Sequence, residues 1–202
     1  MSREWYGAFI LLMEKIDKVV PRTVNCFCYY TIPEYEGEKD DKFSIADIKP
    51  LSGFSNLMLP YVPLSLVVGL GSEDRVLNGI KQFTDVDASY VHYYYTNNQH
   101  TADKPGYKKL FNNANVLNKH EYSLNNMVPV FNSLCDLYQM TKDESRMTIV
   151  SCGPKPFTFL SLIFARIYSV DVWKLETNLS DHYVQKKPTK ESVRFLIEYG
   201  SN

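Results

Sequence analysis

Three absences narrow the function classes of this 202-residue chain. The first is a charge excess: 22 Lys and Arg against 23 Asp and Glu leave a net charge of -1. Duplex nucleic acid is held mainly through phosphate contacts by a basic surface, so that partner is excluded. A small anionic ligand, which needs one or two cations, is not. The second is metal or redox spacing. The four cysteines, Cys26, Cys28, Cys135 and Cys152, include a C-x-C pair but no C-x-x-C, and the four histidines are scattered, so no metal or cofactor is implied. On one strand Cys26 and Cys28 would share a face as small apolar residues. The third is a long apolar run. The stretch from Tyr6 to Met13 is flanked by Glu4 and Glu14 and is far too short to span a bilayer. No membrane and a cytoplasmic location are the expectations. There is no internal repeat and no low-complexity tract.

What is present reads as alternating strands and helices. Trp5, Phe9, Leu12 and Ile16 share a helical stripe, so residues 1–60 open with a packed helix. "TVNCFCYYTI" then reads as a strand, and an irregular, proline-broken stretch follows. We take 1–60 as a helix/strand subregion with a linker, joined to the domain of 61–202 because one helix and one strand cannot bury their apolar faces alone. From Leu64 the chain alternates: "LSLVVG", "SYVHYYYTN", a helical "KPGYKKLFNNANVLNK", a helical "MVPVFNSLCDLYQM", then "MTIVSCGPKPFTFLSLIFARIY", "VDVWKLE" and "SVRFLIEYG". Such alternation implies an α/β, Rossmann-like fold with a mostly parallel sheet flanked by helices. Leu64–Val68 lacks inward/outward alternation, as suits a strand covered on both faces.

In open α/β sheets ligands collect outside the carboxyl ends of the strands. Three loops leave strands there. In the last, Gly153 permits a tight turn, Pro156 suits the first helical position, and the freed amides together with Lys155 favour an anion. Ser151, Cys152 and Phe157 belong to the same turn. The alternative is a turn that only stops a strand and starts a helix, with Lys155 in water. In the first loop Gly69, Gly71 and Ser72 form a partial G-x-G, with Glu73 and Asp74 opposing a phosphate there. In the second, Tyr95, Thr96 and Asn97 offer hydroxyl and amide groups to a base or ribose. Cys152 at a helix start has the setting of a lowered-pKa thiol, but Thr158 stands where the phosphatase pattern needs arginine.

The pairing of "LVVGLGSEDRVLNGI" with "TIVSCGPKPFTFLSLIFA" resembles the CRISPR-associated Rossmann fold (CARF) domains over Leu64 to Leu175. Ser151, Gly153, Lys155 and Phe157 match that family's serine or threonine, glycine, basic residue and apolar helix start. The proline-rich loop departs from its usual form, and residues 1–60 have no counterpart there. The resemblance implies a sensor or accessory domain in prokaryotic antiviral defence, holding a cyclic oligonucleotide as a homodimer or as a subunit of a defence complex. Two other readings stay open: an enzyme that cleaves a cyclic nucleotide or other phosphate ester on the same loops, and a structural scaffold subunit.

Overall fold

A computed structural model describes residues 3–19, 24–33, 45–55, 62–71, 80, 86–87, 90–96, 118–177 and 187–199. Its elements in chain order are α1 (Arg3–Val19), β1 (Val24–Pro33), β2 (Ile45–Pro50), β3 (Leu64–Gly69), β4 (Val91–Thr96), β5 (Asn118–Tyr122), α2 (Val128–Thr141), β6 (Arg146–Ser151), α3 (Lys155–Tyr168), β7 (Asp171–Thr177) and β8 (Pro188–Tyr199).

Six strands form one sheet in the order β2-β7-β6-β3-β4-β5. Strands β7, β6, β3, β4 and β5 are parallel, while β2 runs antiparallel to β7, so the sheet is mixed and mostly parallel. The central strands β3 and β6 are buried from their second residue onward. Leu66 and Val68 face one core cluster and Val67 the other, which accounts for the missing inward/outward alternation in β3. The larger cluster holds α2 and α3 against the sheet through Leu134, Phe157, Leu162 and Phe164.

The region before residue 60 is woven into the rest. Strand β2 extends the main sheet, and β1 pairs antiparallel with β8 from Val24↔Tyr199 to Pro33↔Pro188. Helix α1 packs on α3. The face it buries is Ile10 and Met13, with Tyr6 half-buried, rather than the expected stripe: Trp5 and Leu12 remain 51% and 54% exposed. Gly7 lies on the buried face. It lets α1 come close to Phe54 and Leu51, to which a Cβ there would lie 3.1 and 3.3 Å away.

Candidate functional site

The loops after β3 and β6 lie against each other. The Cys152 amide donates to the Gly69 carbonyl at 3.1 Å, and the Leu70 amide donates to the Tyr94 carbonyl at 2.8 Å. A Cβ on Gly71 would overlap the Cys152 carbonyl oxygen, and one on Gly69 would overlap the Phe157 ring. Gly153 sits over the Leu70 carbonyl oxygen, 3.3 Å from where its Cβ would be. The three glycines thus serve the approach of two loops and one aromatic ring. Ser151 is fully buried and donates its hydroxyl to Thr158 at 2.7 Å, fastening the strand end to α3. Phe157 is fully buried, its ring 5.8 Å from that of Tyr94 and 5.7 Å from that of Tyr122.

Lys155 is the first residue of α3 and Pro156 the second. Helix α3 has no side-chain cap and no acidic residue in its first turn, so its early amides and the exposed Lys155 form a positive end. That end borders a cleft of about 210 Å3 between α1, β1 and α3, lined by Trp5, Phe9, Cys28, Lys155 and Phe159 among others. It lies away from the β3 loop. Thr96 is buried at the end of β4, and Tyr95 faces the other side of the sheet, its hydroxyl donating to Glu121 at 3.4 Å. Ser72 and Asn97, with the expected helix between Lys104 and Lys119 before residue 118, lie outside the described residues.

A larger cavity, about 420 Å3, opens over the carboxyl ends of β4 and β5. Its walls include Tyr94, His120 and Tyr122 from the strands, Asn126 from the following turn, and Val130 and Ser133 from α2. None of these was singled out from the sequence. The signal was available in the alternation of "VHYYYT" and "NKHEY", which puts His92, Tyr94, His120 and Tyr122 on one face. Tyr94 and His120 are direct neighbours across the parallel strands and their rings stack at 4.4 Å and 10°. The Tyr94 hydroxyl is 2.8 Å from Ser133 Oγ, tying strand to helix. His92 Nδ1 lies 3.3 Å from His120 Nε2.

Burial keeps the ring groups of Tyr94 and His120 in this wall uncharged. It lowers the pKa of His120, and burial followed by the neighbouring His120 takes His92 down to about 4. Burial also pushes the Tyr94 hydroxyl up to about 12. At neutral pH the wall therefore offers the neutral His120 imidazole, with neutral His92 behind it, and the Tyr94 phenol. The turn into α2 is self-satisfied: the Val128 amide donates to Asn126 Oδ1 and the Asn125 amide to Ser123 Oγ. Near the other cleft, burial and then Cys26 push the Cys28 thiol up to about 12, so it is a protonated thiol at neutral pH.

Among the described residues no three His, Cys, Asp or Glu side chains gather as a metal-binding group, and no helix is long and apolar enough to cross a membrane. Neither a protein-family model nor a curated protein matches this chain.

Proposed function

We propose that this protein is a ligand-binding module, a sensor or accessory domain that receives the flat ring of a nucleotide-type ligand in the cavity over β4 and β5. The observation that carries the reading is that cavity's place and lining. It lies at the carboxyl edge of parallel strands, has a volume in the range of small-molecule sites, and combines aromatic faces with a few hydrogen-bonding tips. Its neutral His120 imidazole and Tyr94 phenol suit an uncharged ring carrying donors and acceptors, such as a base, better than a phosphate. The strand order supports a Rossmann-like reading: taken along the chain, β3, β4 and β5 run one way from the centre and β6 and β7 the other. With the resemblance to CARF domains, this makes cyclic oligonucleotides the first ligands to test, and antiviral defence and a homodimer the setting in which to test them.

A second reading has its own observation. The uncapped start of α3 with Lys155 is an anion-seeking end, and the aromatic cleft it borders would place a ring beside a phosphate. Thermal-shift measurements against nucleosides, cyclic dinucleotides and cyclic oligoadenylates separate the two. The cavity reading expects a rise in Tm that Ser133→Trp abolishes and Lys155→Glu leaves intact. The opposite pattern moves the site to α3, and no shift with any nucleotide removes both. Linear products from a labelled cyclic ligand would make the module an enzyme.

A further inference from the structure

Strand β1 carries two thiols on one face. Cys26 and Cys28 are two residues apart in an extended strand, so both side chains point the same way. Their sulfurs are 3.9 Å apart. Neither belongs to the sealed core: both are partly exposed and both line the cleft between α1, β1 and α3. Metal–thiolate bonds of about 2.3 Å, opened at angles between tetrahedral and trigonal, hold two sulfurs about 3.8 to 4.0 Å apart. The strand presents the pair at that span, with its backbone fixed by β8 through Cys26↔Ile197 and Cys28↔Phe195.

We propose that Cys26 and Cys28 form a two-thiolate site for a soft monovalent cation, Cu(I), with a third coordination position turned toward the mouth of the cleft. Thiolate ligands select soft ions over hard ones. The choice of Cu(I) over Zn(II) follows from ligand number. Structural zinc is held by four protein ligands, and among the described residues no third His, Cys, Asp or Glu joins the pair. Cu(I) accepts three, and the 3.9 Å span is close to that of two sulfurs in a trigonal set. Binding exchanges protons for metal: two thiols and one Cu(I) give a dithiolate complex of charge -1 and two released protons, with no change of oxidation state. The Lys155 ammonium lines the same cleft and offsets that charge. The rings of Phe159 and Phe195, which also line it, limit water at the sulfurs. The site is independent of the cavity over β4 and β5.

The test is an oxygen-free titration of the full-length protein with the Cu(I)–ferrozine complex, read by loss of the chelator's colour. The expected result is one Cu(I) withdrawn per chain, falling to none in Cys26→Ser and in Cys28→Ser and unchanged in the Cys135→Ser/Cys152→Ser double variant. In the unmodified protein, one equivalent of Cu(I) should slow iodoacetamide labelling of Cys26 and Cys28 at least tenfold and leave Cys135 and Cys152 unaffected. That second readout does not depend on the variants folding. No withdrawal of Cu(I), withdrawal that survives either β1 substitution, or protection equal at all four cysteines would overturn the proposal.

Discussion

Gly71 has no side chain, and the carbonyl oxygen of Cys152 occupies the space where one would begin. The obstacle is backbone, which cannot turn aside as a side-chain tip can. Gly71→Ala should therefore destabilise the fold by about 1–3 kcal/mol, as overpacking a filled interior does, read as a lower urea midpoint with unchanged slope. The His92–His120 pair gives a second expectation at this scale. His92 is held below its ordinary pKa, so the unfolded chain takes up a proton near pH 6.5 that the folded chain refuses until about pH 4. Stability contributed by neutral His92 is thus complete above about pH 6.5 and is lost as pH falls toward 4. His92 is only half-buried, so the loss is a fraction of the full linkage. His92→Gln should flatten the decline in Tm between pH 6.5 and 4. Sequence reading found the glycines and the turn residues because Gly and Pro have few structural uses. It did not find the cavity over β4 and β5, because Tyr94, His120 and Ser133 come from three elements and acquire meaning only when the sheet brings them together.

Elements were legible to the degree that burial wrote itself into their composition. Strand β3 and helix α3 are mostly apolar, and β6 carries Met147, Ile149 and Val150, because all three are enclosed, and each shows as such in the chain. Strands β2 and β5 do not. Both are sheet edges, "IADIKP" and "NKHEY", where one side meets solvent and charge is tolerated. Pro50 ends β2 at a position only an edge strand allows. Helix α1 was seen as a helix but turned by part of a revolution, since it has more apolar residues than its buried face can hold. Its attachment to α3 has two kinds of contact. Phe159 is buried against Tyr6 and Phe9, with ring centroids 5.4 and 6.3 Å away. Arg166 donates two hydrogen bonds to Glu14 at 2.6 and 2.7 Å from a partly exposed position. Packing should dominate. Phe159→Ala is expected to cost about 3–5 kcal/mol and Glu14→Gln less than about 1 kcal/mol, measured by equilibrium denaturation of both variants.

Across the molecule, protection should follow enclosure. The six-stranded sheet is covered on its central strands, whereas β1 and β8 make a separate sheet of two strands. A pair of strands holds together only with support from one face, here α1 and α3 through Tyr6, Phe159 and Phe195. In hydrogen exchange, β3 and β6 amides should be the last to exchange and those of β1 and β8 at least about tenfold faster. Equal rates would mean that the two sheets open as one unit. The alternation of strands and helices announced the mostly parallel sheet, but no local pattern could announce that β1 seeks a partner more than 150 residues away.

That distance matters while the protein is being made. On a ribosome β1 emerges early and β8 late, with the whole of the larger sheet between them. At a synthesis rate of about 5–20 residues per second, the aromatic strand waits on the order of ten seconds or longer for the segment that completes it. During that interval Phe27 and Tyr29 sit on an unpaired edge open to other nascent chains. The arrangement makes β1 the segment where chaperone protection would be needed first.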